Sequence, residues 1–513
     1  MPPITVVIFL LLVKLELGNC AKPNVLLIIV DDLKPSLRCF GDRNAYTPNI
    51  DRLSEKSFVF RNVFAQQALC APSRNSLLTS RRPNSLHLYD FYSYWRSTVG
   101  NFTTIPQYFR ENGYHTYSIG KVFHPGKSSN FTDDYPYSWS TPTFHPKTEQ
   151  FMNSPVCVDQ NGSLVKNLIC PVIIESQPDG TLPDIESLNE AVRYLEYRRN
   201  ATKPYFLAVG FHKPHVPFKF PFKYLDYHPI KNVSLPTNKD RPSSLPLVAW
   251  NPWTDIRLRH DIELLNVSFP FGPMPDHMSR KIIQAYNAAT TYVDDLIGQL
   301  LVHVDPNTIV ILTADHGWSR GEHGEFSKFS NYDEATKVPL IIHVPGLSTG
   351  EIISDALVEL VDLFPTLVDL TQVAESLPIC SKLVDEIACT EGRSLAPYMA
   401  CKKMGKVARQ KSAVFTQYPR PGVQPTLHPN SDKPHLKDIK IMGYSIRTNA
   451  YRYTEWVKFD PQTYKPNWKK VYAKELYSHI FDKKEDLNLA ERPEMEDVMK
   501  HLHRRLKLGW RHA

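Results

Sequence analysis

The sequence predicts an α/β protein with a large, mostly parallel or mixed sheet flanked by helices, followed by a smaller C-terminal α+β subdomain carrying an antiparallel sheet. Three observations predict it. Asn24–Val30 (NVLLIIV), 206–211 and 308–313 are unbroken apolar runs. Runs of that kind belong to strands buried on both faces of a parallel sheet. Residues 184–197 and 280–304 show helical spacing instead, with Ile283, Tyr286, Leu296 and Leu300 on or near one stripe. Beyond about residue 405 the texture changes to short alternating segments at 412–416, 443–448, 451–457 and 475–481, which read as an antiparallel sheet.

Taken in order, the first apolar strand ends in Asp31-Asp32, two carboxylates where open α/β sheets place their ligand sites. The second ends at His212-Lys213-Pro214-His215, and the third at Asp315-His316-Gly317. The stretch 217–275, rich in Pro, Asn and aromatics, reads as long loops. Residues 346–361 read as a loop, with a helix starting within 360–367. The division expected is a signal peptide at 1–20, a catalytic domain at 21–405 and a C-terminal subdomain at 406–513.

Bulk properties narrow the classes. The 513 residues can bury a large core, and 42% hydrophobic with 22% charged is ordinary for a globular chain. Net charge is +7, with no basic arm or nucleic-acid motif, so a nucleic-acid partner is not expected. The apolar run 6–13 is too short to span a bilayer and precedes small residues around Gly18-Asn19-Cys20, as in a secretory signal. No later run suggests a membrane anchor. Six sequons begin at Asn101, Asn130, Asn161, Asn200, Asn232 and Asn266, which agrees with a secretory route. Of eight cysteines, Cys157 with Cys170 and Cys380 with Cys389 are close enough to close short loops; Cys39 and Cys401 have no evident partner.

Cys70-Ala71-Pro72-Ser73-Arg74, followed by Leu78-Thr79-Ser80-Arg81, carries the strongest chemical signal. A lone apolar-flanked Cys is usually a small core residue. Here Pro72 and Ser73 suit a helix start, which would aim free N–H groups and a positive dipole at an anion near Cys70. Arg74 adds a forked donor for oxyanions.

The pentapeptide resembles the C-x-P-S-R signature of type I sulfatases, whose Cys is oxidised to formylglycine in the endoplasmic reticulum. Further similarity lies in LLIIVDDL at 26–33, residues 64–74, Tyr89-Asp90-Phe91, residues 120–126, residues 206–217, Asp315-His316-Gly317-Trp318 and KDIKIMGYSIRT at 437–448. The resemblance implies the alkaline-phosphatase-like sulfatase fold and the formylglycine-generating enzyme as a biosynthetic partner. It implies Asp31, Asp32, modified Cys70, Asp315 and His316 as ligands of one Ca²⁺. Hard oxygen donors suit that ion, while the His nitrogen leaves Mn²⁺ open.

Arg74, Lys121, His124, His212 and Lys328 would be the remaining catalytic groups, with His212 protonating the leaving oxygen. Arg81, Asp134 and Trp318 would contact substrate. The substrate implied is the 2-O-sulfate ester of non-reducing-end iduronate in heparan sulfate and dermatan sulfate, and the destination lysosomal or secreted. Where the signature normally reads L-T-G-R this chain has Ser80, a residue poorer than Gly at positive φ. Two other readings compete: a phosphonate or phosphodiester hydrolase, or another sulfatase, of the same superfamily; and a catalytically silent carbohydrate-binding relative.

Overall fold

The computed structural model describes residues 22–159, 161–381, 387–407 and 409–512. The signal-peptide segment lies outside them. Seven strands form the main sheet: β1 Asn24–Val30, β2 Phe58–Phe64, β3 His115–Gly120, β4 Tyr205–Phe211, β5 Thr308–Ala314, β6 Lys337–His343 and β7 Ile352–Glu359. Their spatial order is β7-β2-β6-β5-β1-β4-β3. β6 alone runs against its neighbours β2 and β5, so the sheet is mixed with a parallel majority.

The apolar runs behave as their composition requires. Val25 to Val30 and every residue of β4 and β5 are buried, because sheet neighbours and helices cover both faces. The helices used below are α1 Cys70–Thr79, α2 Pro183–Arg198, α3 Asp276–Leu301, α4 Leu363–Thr371 and α5 Glu496–Leu508. α3 buries the stripe that its spacing announced, including Ile283, Tyr286, Leu296 and Leu300.

One segment corrects the sequence reading. Residues within 346–361 were expected to be loop, yet Ile352–Glu359 is β7, paired parallel to β2. Ser354 and Asp355 interrupt its apolar residues, and Ile353 and Asp355 are exposed, as at a sheet edge, so it lacks the unbroken run of a central strand.

The C-terminal sheet is β8 Val414–Arg420, β9 Ile441–Arg447, β10 Tyr451–Asp460 and β11 Lys465–Ser478, antiparallel throughout and in that spatial order. α5 packs on it through Leu502 and Leu506. β11 starts ten residues before the expected 475, because its first half is exposed and alternates nothing apolar. The subdomain grips the segment that carries Lys328. Arg420 donates to the Phe329 carbonyl at 2.7 Å, and Asn331 donates to the Gly443 carbonyl at 3.1 Å. Both short-range disulfides form, Cys157–Cys170 and Cys380–Cys389, while Cys39, Cys70 and Cys401 are free thiols. Among the described residues no helix is long and apolar enough to cross a membrane.

Candidate active site

The site is assembled at the carboxyl ends of three neighbouring strands. β1 delivers Asp31 and Asp32, β5 delivers Asp315 and His316, and β4 runs into the His212–His215 turn. Lys121 follows β3 directly. It reaches inward because Gly120 and Gly210 face each other in the β3–β4 register. A Cβ on Gly210 would lie 2.0 Å from the Lys121 carbonyl oxygen, so only glycine allows this approach.

Cys70 opens α1, with Leu69 extended before it and no side chain capping the helix. The free N–H groups of the first turn and the helix dipole therefore face the site. All ten residues of α1 are buried. Ser80 ends the helix at φ 54°, ψ 30°, the left-handed conformation that the usual Gly would supply. Its hydroxyl donates to the Val361 carbonyl and lies 2.7 Å from the Thr390 hydroxyl. Those bonds offset the ~1 kcal/mol by which a non-glycine residue disfavours this conformation. The Ser80 departure is thus accommodated locally.

Around the Cys70 Sγ stand Lys328 Nζ at 3.2 Å, His316 Nε2 at 3.3 Å and Lys121 Nζ at 3.8 Å. Arg74 bridges two carboxylates, with Nη2 at 2.8 Å from Asp31 and Nε at 2.9 Å from Asp315. Lys121 pairs with Asp31, and Lys328 with Asp32 at 2.7 Å. Three carboxylates thus face three fixed cations in a fully buried cluster.

Burial works against charge on Asp31, but the cations Lys121, Arg74 and Lys328 outweigh it and hold the carboxyl well below its usual range. Asp32 moves the other way, to about 7, through burial and the nearby charges of Asp31 and Asp315. Burial lifts the Cys70 thiol to about 12 despite two lysines, so the unmodified residue is a poor nucleophile.

The donor set fits a divalent cation. Ligand atoms from Asp31, Cys70, Asp315 and His316 lie within 4.8 Å of one another, as do those from Asp31, Asp32, Cys70 and His215. Asp32 Oδ2 is buried without a hydrogen-bond partner, as expected of an oxygen kept for a metal. Burial takes His316 down to about 4, so its ring is neutral and free to donate a lone pair.

The two histidines of the β4 turn meet different partners. His212 Nε2 lies 3.3 Å from Glu149 and Nδ1 3.4 Å from Asp184. Burial opposes its protonation, but Asp184 and Glu149 prevail and raise it to about 9. His215 is the ring that enters the site, with Nε2 4.0 Å from Asp31 and 3.9 Å from Asp32. The physical reason is a tight turn: the His215 N–H bonds the His212 carbonyl, reversing the chain, while Asp184 accepts from the N–H groups of His212 and Lys213. The HKPH motif supplied the expected acid His212, and of the two rings the structure brings His215 nearer to Asp31 and Asp32.

His124 packs its ring 4.6 Å from Phe91, and burial together with Lys121 and Arg74 keeps it neutral. Arg81, Asp134 and Trp318 lie among other protein groups. The Arg81 guanidinium lies 3.8 Å over the Phe102 ring, and Nη2 is 2.9 Å from Cys389 Sγ. Asp134 is held by Arg96, Tyr94 and Ser138. Trp318 is fully buried among Phe218, Tyr286 and Phe326.

The sulfatase family model matches residues 23–373. The chain is a sulfatase. It is 48% identical over 511 residues to iduronate 2-sulfatase of Mus musculus, covering 92% of each chain. It is 48% identical over 502 residues to iduronate 2-sulfatase of Homo sapiens, covering 91% of this chain and 90% of that one. The fold recurs in a protein solved with its substrate D-glucosamine-2-N,6-O-disulfate, at TM-score 0.68, 20% identity, and 96% and 98% coverage. It recurs too in the phosphonate monoester hydrolase of Agrobacterium radiobacter, at TM-score 0.69, 19% identity, and 95% coverage of both. Sulfatases hydrolyse sulfuric esters with a formylglycine made from cysteine and a metal ion, and the cluster around Cys70 is built for both.

Proposed function

We propose that this sulfatase removes the 2-O-sulfate of non-reducing-end iduronate from heparan sulfate and dermatan sulfate, in the lysosome or after secretion. Cys70 is the residue oxidised to formylglycine by the formylglycine-generating enzyme, and the metal is Ca²⁺. The observation that carries the reading is Cys70 at a helix N-terminus, within hydrogen-bonding reach of Lys328 and His316 and ringed by three carboxylates. Likeness to the two mammalian iduronate 2-sulfatases supports the substrate.

The residues divide the work by charge and position. Asp31, Asp32, Asp315 and His316 would hold Ca²⁺, which when bound supplies positive charge to the sulfate oxygens and the nucleophile. Formylglycine in its hydrated form brings one hydroxyl for sulfur and a second that lets the sulfated residue expel sulfate. Arg74 locks Asp31 and Asp315 in place through two hydrogen bonds from one rigid group. Lys121 and Lys328 remain charged, each because a carboxylate outweighs the cost of burial. They fix the anionic ester against the carboxylates beside it.

His215 holds the proton that the departing sugar oxygen takes. Burial and three lysines (Lys121, Lys328 and Lys213) keep its ring neutral in the free site, and a bound sulfate anion offsets that bias. His124, neutral and with Nδ1 unpartnered, is the base for the second hydroxyl.

The test is sulfate release at acidic pH from a heparin disaccharide ending in 2-O-sulfated iduronate, with Cys70→Ala in parallel. Release by the wild type alone supports reaction, substrate and nucleophile together. No release from folded, Ca²⁺-loaded, formylglycine-bearing protein removes the iduronate assignment. Faster cleavage of a phosphonate monoester would favour the phosphonate hydrolase reading instead.

A further inference from the structure

The charge of this protein is divided unevenly. Residues 406–513 hold 22 of the 60 Lys and Arg but 12 of the 53 Asp and Glu, a net +10, against −3 for residues 1–405. The excess is concentrated at the outer edge of the C-terminal sheet. β11 is the edge strand, three strands removed from β8, which adjoins β2 and β7 of the main sheet. It carries Lys465, Lys469, Lys470 and Lys474, all exposed, and residues 461–474 contain no Asp or Glu.

The strand is also shaped to present them. Val457 pairs with Val471 while the next residue, Lys458, pairs with Asn467, so Trp468, Lys469 and Lys470 form an extra segment that bulges from the ladder. Trp468 pins the bulge inward, its ring 5.3 Å from Tyr444 and 6.4 Å from His503 of α5. Beside His503 on that helix stand Arg504 and Lys507, both exposed. Among the described residues none of these six cations makes an ion pair with a carboxylate, whereas Lys500, one turn earlier, is held by Glu496 and Asp497. One or two lysines suffice to keep an edge strand from pairing with another chain. Six unpaired cations on a bulge and the helix beside it make a field that concentrates polyanions.

We infer that the bulge of β11 and the adjoining face of α5 form an exosite for the sulfated polysaccharide chain, separate from the centre that takes its terminal residue. The class of polyanion rests on the proposed substrate: a chain sulfated at its end carries sulfates and carboxylates along its length. Binding there holds long chains near the enzyme through counterion release, and leaves a terminal disaccharide unaffected.

The experiment measures binding of a size-defined heparin octasaccharide to the full-length protein across a salt series, without turnover. Lys469→Glu/Lys470→Glu is compared with Lys56→Glu/Lys281→Glu, two exposed lysines of the catalytic domain giving the same change in net charge. Thermal unfolding confirms that both variants are folded. The exosite pair lowers affinity about tenfold or more and flattens the salt slope by about one per lysine lost. The control pair leaves both near wild type. With sulfate release as a second readout, KM for long chains rises in the exosite variant while disaccharide hydrolysis is unchanged. Unchanged octasaccharide affinity, an equal loss in the control pair, or equally tight binding of a DNA duplex of matched charge each overturns the inference. Failure to hydrolyse the iduronate disaccharide would remove the proposed substrate, yet leave the binding comparison intact.

Discussion

Replacing each histidine of the β4 turn by asparagine tests which of the two rings is catalytic. His215 touches the nucleophile's surroundings through Asp31 and Asp32 and holds little else in place. Loss of a positioned general acid costs about 10²–10⁴-fold in rate, so His215→Asn lowers kcat by that factor and leaves the unfolding temperature near wild type. His212 instead sits between Glu149 and Asp184, all three largely buried. Removing one member of a buried charged group costs about 3–5 kcal/mol, because the remaining charges lose their compensation. His212→Asn therefore unfolds several degrees earlier, while its rate per folded molecule stays within about tenfold of wild type, a factor worth ~1.4 kcal/mol. The assay pairs sulfate release, normalised to formylglycine content, with calorimetric unfolding. A stable His212→Asn with a thousandfold rate loss, beside an active His215→Asn, would refute the assignment drawn from the turn's geometry.

Other expectations follow from the same contacts. With its folded pKa raised to about 9, His212 stabilises fully below its unfolded value near 6.5 and progressively less as pH climbs through 9. Wild-type stability should fall across that interval by an amount on the order of 3 kcal/mol, and His212→Asn should lose the slope, as denaturant titrations at each pH will read. Arg74→Lys keeps the charge but cannot bridge Asp31 and Asp315 with two rigid donors; it should cost about 3 kcal/mol of stability, measured by chemical unfolding, and weaken divalent-cation binding in calorimetry. Gly210→Ala places a methyl 2.0 Å from the Lys121 carbonyl, so the lysine must move off Asp31. Activity should drop at least about tenfold, and a folded variant with wild-type kcat/KM would show that Lys121 has slack.

What could be read from the chain depended on how each residue signals its environment. β1, β4 and β5 were legible because central parallel strands leave apolar runs, and the carboxylates and histidines stand at their ends. The placement of Cys70 at a helix start was legible because Pro72 and Ser73 follow it closely in sequence. β7 and the outer half of β11 were not, since an exposed edge relaxes the demand for apolar side chains. The choice between His212 and His215 depends on a turn hydrogen bond and on Asp184, 28 residues before His212, so spacing alone could not make it. Asp134 and Arg81 carry the charges a sugar site wants; their contacts with Arg96 and Phe102 arise only in three dimensions.

The most direct test of the central claim is peptide mass spectrometry across Cys70 on protein made in a eukaryotic secretory host, read beside its specific activity. Formylglycine at position 70, with sulfate release proportional to its fraction and absent in Cys70→Ala, is the predicted result. Full activity from protein carrying an unmodified Cys70 thiol would contradict it.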